Sequence, residues 1–209
     1  MKEQWLSLSL EIDESTLAFP GDEGLKINKI KTWDKDNYLL SQVYLTMHLG
    51  THLDYKSHVL NEEDHLDFNQ FIGKANVIFI QAKSGIIKTK DIELAYQYIN
   101  QAEDMLIIST NHEHKINTQA YWTYPKFEPS ILEFLKKHHI RLLAADLPSY
   151  EYVEGDMLQM HRDLLSNDIY LLENLVHLDR LSSHIELMVL PIPIKGLEAA
   201  LVNVIAKNL

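Results

Sequence analysis

Met105-Leu-Ile-Ile-Ser109 is a short apolar run between polar neighbours, the mark of a strand buried on both faces. The same pattern recurs on either side of it. Upstream lies Asn76-Val-Ile-Phe-Ile-Gln81, a second such run. Between the two, Asp91 opens a predicted helix in which Ile92, Ala95, Tyr96 and Ile99 share one face. Downstream, Pro129 to Lys137 carries Ile131, Leu132 and Leu135 on one side, with the proline suited to a first turn. That helix leads to a third run, Arg141-Leu-Leu-Ala-Ala145. Strands alternating with helices argue for an α/β fold built on a single mixed sheet with flanking helices.

Further out, Met157 to Ser166 reads as a helix and Ile169 to Leu172 as the strand after it. Leu6 to Leu10 alternates with period two, Asn37 to Thr46 is rich in β-formers, and Asn69 to Gly73 reads as a short helical turn. Leu187 to Leu190 runs into Pro191-Ile-Pro193, which suits only an edge or an interrupted strand. Leu197 to Lys207 fits a helix or a strand equally well. With no repeat and no Gly/Ser-rich linker, residues 1–209 read as one domain.

The composition narrows the function. The chain has 209 residues, 46% apolar and 23% charged, ordinary for a soluble globular protein. Thirty acidic side chains against 19 basic ones give a formal charge of −11, which repels phosphate backbones and anionic lipid surfaces. The expected partner is a small-molecule substrate, with neither nucleic acid nor membrane. The absence of cysteine excludes disulfides, thiolate metal sites and cysteine nucleophiles. With no signal-peptide pattern in the first residues, it also suits a cytoplasmic location.

The chemistry concentrates in His48-Leu-Gly-Thr-His52-Leu-Asp54-Tyr-Lys-Ser-His58. In an extended segment the even-numbered side chains share one face, so three imidazoles and a carboxylate would converge there. A helix would scatter them. Gly50 lets the backbone bend or be approached closely. Imidazole and carboxylate are ligands for a borderline divalent cation, Zn²⁺ before Mn²⁺. The plain alternative, a solvated face of histidines, needs no metal. Lys56 has the parity of the ligands, so its ammonium would face the cluster and disfavour a second cation, unless it snorkels to solvent. Loops at strand ends line pockets in α/β folds, which makes Ser149 a substrate-lining candidate. His65 lies in a polar loop close to the motif. His112, His114, His138, His139, His177 and His184 sit in polar surroundings and are expected to be solvated.

His-x-Gly-Thr-His-x-Asp-x-x-x-His resembles the signature of the cyclase family of hydrolases, which includes bacterial kynurenine formamidase and isatin hydrolase. The resemblance spans nearly the whole chain. Pro20-Gly21-Asp22, Tyr124-Pro125, Asp146-Leu-Pro148-Ser149, His161 and Ile169-Tyr-Leu-Leu-Glu173-Asn174-Leu175 follow in the family's order. It implies a swivelling β/β/α arrangement and a homodimer or homotetramer, and through kynurenine formamidase a place in tryptophan catabolism. It implies that His48, His52 and Asp54 are metal ligands, with Asp54 able to bridge two ions. His161 and Glu173 would complete the site, and His58 would be the general acid/base. Two departures stand out. Lys56 replaces the family's proline, and Ala200-Leu201 stands where a Ser-Pro is usual.

The expected activity is metal-dependent hydrolysis of the C–N bond of a small amide, formamide or lactam by metal-activated water, with one or two ions. Lactone or cyclic-ester hydrolysis would use the same site. A non-catalytic metal-binding protein is the reading from another class, and an intact His58 argues against it.

Overall fold

The computed structural model describes residues 4–64, 67–82 and 84–209. In chain order its strands begin with β1 (Leu6–Ser7) and the hairpin of β2 (Lys26–Lys31) and β3 (Leu40–Tyr44), with helix α1 (Trp33–Asp36) at its tip. There follow β4 (His52–Asp54), β5 (Ile72–Phe79), β6 (Ile86–Ile87), helix α2 (Thr89–Tyr96), β7 (Met105–Ser109) and β8 (Lys126–Phe127). The last elements are α3 (Ile131–Lys137), β9 (Leu142–Ala145), α4 (Gln159–Leu165), β10 (Tyr170–Glu173), β11 (His184–Pro191) and β12 (Ala199–Asn208).

The main sheet runs β1-β12-β11-β5-β7-β9-β10-β4, and β12 also pairs with β4. Seven strands therefore close into a barrel-like ring, with β1 appended to β12. The strands β5, β7, β9 and β10 are mutually parallel; β4, β11 and β12 join them by antiparallel pairs. The closure depends on β12, the segment whose sequence fits helix or strand. Its first residues, Ala199 to Leu201, pair with β4, and Val202 to Asn208 pair with β11. A ring lacking this strand would leave open edges on β4 and β11, so sheet closure decides what local propensity does not.

Side-chain alternation splits the ring into two cores. Leu53, Val77, Ile107, Leu142, Leu172, Leu187 and Val204 fill the interior. Ile78, Leu106, Ile108, Leu143 and Leu171 face outward and are covered by Ile92, Phe134, Leu135 and Leu164 from α2, α3 and α4. The central strands are apolar throughout because both faces are buried. Pro191 pairs with Val202 at a level where β5 no longer accompanies β11, so the missing amide faces no ladder.

Two expectations are corrected. The histidine segment is not one strand: only His52–Asp54 is extended, Gly50 has φ +71°, and Lys56–His58 forms a 3-10 turn. His112 is buried rather than solvated, stacked on Tyr121 with its Nε2 2.7 Å from the Tyr121 carbonyl. His65 lies outside the described residues.

Candidate metal centre

β4 and β10 are antiparallel neighbours with Leu53 opposite Leu172, Asp54 opposite Leu171 and His52 opposite Glu173. Leu53 and Leu172 point into the ring, so His52, Asp54 and Glu173 point out. α4 lies over that outer face and supplies His161. Its start is set by Leu158, held in the left-handed region at φ +60°, a conformation a branched apolar residue rarely adopts and one that concentrates at functional sites. Two strands and one helix thus deliver four donors to one buried spot. His48 reaches it from the turn ahead of β4.

The distances are short and mutually consistent. His52 Nε2 lies 3.1 Å from His48 Nδ1, 3.4 Å from Asp54 Oδ1 and 3.3 Å from Glu173 Oε2. His161 Nε2 lies 3.3 Å from Asp54 Oδ2 and 3.2 Å from Glu173 Oε1. His48 Nδ1 lies 3.2 Å from Asp54 Oδ1. Two ligands that each sit about 2.0–2.2 Å from one ion are separated by about this much. Asp54 is fully buried, yet neither of its carboxylate oxygens has a hydrogen-bond partner. A buried carboxylate whose hydrogen-bonding capacity is unmet is costly, and a cation among these donors would lower the cost. The donor set of imidazoles and carboxylates fits a divalent ion. Two overlapping donor groups can be drawn, His48–Asp54–His58 and His52–Asp54–Glu173, sharing Asp54.

The electrostatics carry the same message. Burial opposes a proton on His52, yet the adjoining Asp54 and Glu173 carboxylates lift it to about 10. His161, equally buried and flanked by the same two groups, is lifted to about 9. Burial pushes the Asp54 carboxyl up, but His161, His48 and His52 hold it well below the usual carboxylate range. In the metal-free protein protons occupy the place of a cation. His58 differs: burial lowers its pKa, and its ring centre stands 4.4 Å from that of His48 and 5.7 Å from that of His161.

A second set of contacts fixes the orientation of these side chains. Gly50 bends the chain where a Cβ would lie 2.6 Å from Ile12 Cγ2, so geometry and space both require glycine. Its carbonyl accepts from His52 Nδ1 at 2.9 Å and from Asn174 Nδ2 at 3.0 Å, which turns His52 Nε2 towards the donor cluster. Asn174 in turn accepts from the Tyr121 hydroxyl and, through its carbonyl, from Thr51 Oγ1.

Known proteins resemble this chain in sequence and in fold. Residues 6–152 match the family model described as "Putative cyclase". The chain belongs to the cyclase family. A kynurenine formamidase of Geobacillus thermodenitrificans is 32% identical over 93% of this chain and 92% of its own. The fold is shared with isatin hydrolase A of Ralstonia solanacearum, at a TM-score of 0.85 and 16% identity over 99% of this chain and 92% of that one. It is shared too with a predicted metal-dependent hydrolase of Bacillus stearothermophilus, at a TM-score of 0.84 and 16% identity over the full length of both chains. This cyclase-family chain is accordingly a hydrolase.

Of the residues singled out in the sequence, His48, His52, Asp54, His58, His161 and Glu173 come together. Lys56 does not join them. The 3-10 turn breaks the strand alternation, and its ammonium pairs with Asp168, at the far end of β10 from Glu173. The expected repulsion of a second cation loses its source. Ser149 is buried in the loop after β9, beside Tyr124, with no described contact to the donor cluster. Asp146 accepts hydrogen bonds from the backbone amides of Thr110, His112 and Glu113, tying loops together. Sequence reasoning missed Glu198, whose Oε1 lies 3.7 Å from His48 Nε2. It also missed the cavity beside His48, lined by Leu10, Phe19, Tyr121, Trp122 and Pro148. Neither carries a local signal, since both depend on segments far apart in the chain.

Proposed function

We propose that this cyclase-family hydrolase cleaves the C–N bond of a small aryl formamide, N-formylkynurenine first and the lactam isatin second, in the cytoplasm and within tryptophan catabolism. The observation that carries the reading is the convergence of His48, His52, Asp54, His161 and Glu173 on one buried spot where Asp54 has no hydrogen-bond partner. A divalent cation held there, Zn²⁺ before Mn²⁺, supplies Lewis acidity and lowers the pKa of water towards about 7.

The protein's own groups do the rest. His48, His52, Asp54, His161 and Glu173 would hold and orient one or two ions. His58 is neutral at physiological pH because burial lowers its pKa. It takes a proton from the attacking water and returns it to the leaving nitrogen. Phe19, Tyr121 and Trp122 line a small cavity beside His48. The swivelling β/β/α arrangement and assembly as a homodimer or homotetramer belong to the same reading by resemblance.

The test is a hydrolysis screen of N-formylkynurenine, isatin and simple formanilides with metal-loaded protein and a chelator control. Chelator-sensitive turnover of a formamide is the expected result. Metal-loaded protein that hydrolyses none of them would sink the proposal.

A further inference from the structure

Two side chains of opposite charge stand together in an aromatic-lined groove, and the donor cluster uses neither of them. Lys126 lies on β8 and Glu151 on the segment beside it. The Phe127 amide donates to the Glu151 carbonyl at 2.8 Å, and the Val153 amide to the Phe127 carbonyl at 2.9 Å. Phe127 is fully buried, so the backbone beneath both charges is anchored in the core. Lys126 Nζ lies 2.5 Å from Glu151 Oε2, and the Tyr124 hydroxyl donates to Glu151 Oε1 at 2.9 Å.

With Phe19 and Trp122, these three side chains line a groove of about 330 Å³. That volume falls in the range of small-molecule sites, roughly 300–1,000 Å³. Phe19 and Trp122 pack edge to face with ring centres 5.5 Å apart, and both also line the small cavity beside His48. The groove therefore adjoins the donor cluster. Charge effects place it there too. Burial pushes the Glu151 carboxyl up, but Lys126 and Tyr124, with His161 of the donor cluster adding to them, hold it below its ordinary range. The Lys126–Glu151 pair is only partly buried, its side chains 46% and 26% exposed. Such a pair is weak in water and opens readily to a ligand that offers both charges in return. A zwitterionic α-amino-acid end does so, its ammonium meeting Glu151 and its carboxylate meeting Lys126. N-formylkynurenine has such an end on the ring that bears its formamide, whereas isatin and formanilide have none.

We propose that this groove is the subsite for the amino-acid end of the substrate, and that Glu151 and Lys126 select aryl formamides that carry one. The inference rests on the formamide reading above and names the residues that choose among such substrates. Neither residue touches the reacting bond. Both act through the affinity of the far end of the substrate, which fixes how the formamide is presented to the donor cluster.

The experiment is calorimetric titration of the zinc-loaded full chain with L-kynurenine and with 2-aminoacetophenone, which keeps the ring and ketone but lacks the amino-acid end. Circular dichroism reports folding. The wild type should bind L-kynurenine about tenfold or more tightly than the tail-less compound, since a site built for polar groups rejects an analogue without them. Glu151→Gln keeps an acceptor for Tyr124 and removes the charge, and Lys126→Met keeps the length of the side chain; each should bring that ratio close to one. Lys136→Met on α3, where the lysine is equally exposed, should leave it where it was. A general loss of structure would weaken both ligands together and leave the ratio intact. Equal or absent binding of the two ligands by the wild type, or a preference that survives in either groove variant, would overturn the subsite. A preference that behaves as expected in a wild type that hydrolyses no formamide would support the subsite and overturn the hydrolytic reading instead.

Discussion

The metal centre and the β2–β3 hairpin are opposite uses of short strands. At the centre, β4 and β10 together have only seven residues, yet each is buried and each outward side chain meets a partner from another segment. The hairpin is longer, its register is carried through a bulge between Lys29 and Lys31, and all but one of its strand residues are exposed. Pairing alone therefore does not make a site. What makes one is convergence: His48, β4, β10 and α4 come from four places in the chain and aim at one point. Substitutions at the centre should act on chemistry.

The largest effect expected at the centre is from His52→Ala. It removes a nitrogen with three close neighbours and leaves Asp54 and Glu173 facing each other without it. Activity should fall to background, and elemental analysis should find bound metal lost. Retained stoichiometric metal would show that the donors are held by something other than shared coordination. His58→Ala should separate the two roles: metal stays bound while kcat falls by about 10²–10⁴-fold, the usual worth of a general acid/base. Because burial lowers the pKa of His58, the acid limb of the wild-type profile should lie below 6.5, activity rising with pH as the base loses its proton. That limb should vanish in the variant.

Glu198 sharpens the comparison at the rim. If it orients His48 through Nε2, Glu198→Ala should weaken metal affinity by about 10–100-fold in chelator competition, and Glu198→Gln should recover much of it. The pH dependence of metal binding gives a separate test. His52 and His161, at about 10 and about 9, carry protons in the metal-free protein at neutral pH. Binding near pH 7.5 should release about two protons, seen by calorimetry in buffers of different ionisation enthalpy, and affinity should rise with pH. For the metal-free fold the sign is reversed. Raised histidine pKa values stabilise it fully below about 6.5, and that contribution fades as pH climbs through about 9 to 10.

Much of the donor cluster was legible because His48, His52, Asp54 and His58 are close in sequence and their types are chemically restrictive. Apolar runs such as Met105–Ser109 and Leu142–Ala145 were equally plain, since strands buried on both faces have no polar residues to confuse the pattern. Three things were not legible. The strand Ala199–Asn208 is decided by ring closure, not by propensity. His112 is buried because Asp146, 34 residues later, accepts its backbone amide and draws the loop inward. The path of residues 55–58 was misjudged because parity counting assumes a continuous strand, and a single 3-10 turn cancels it.

That turn makes Lys56 the smallest expected effect and a direct check on the geometry. An ammonium facing the ligands would repel cations, so Lys56→Ala would then raise metal stoichiometry and change turnover. In the structure it instead pairs with Asp168, whose side chain is 78% exposed. Exposed pairs contribute about 0–1 kcal/mol, screened further by salt. Lys56→Ala should therefore leave the metal content unaltered and kcat within about twofold, and shift the denaturation midpoint only slightly, less so in high salt. A doubling of bound metal would mean that the segment after Asp54 continues extended in solution. The even-numbered side chains would then share one face after all.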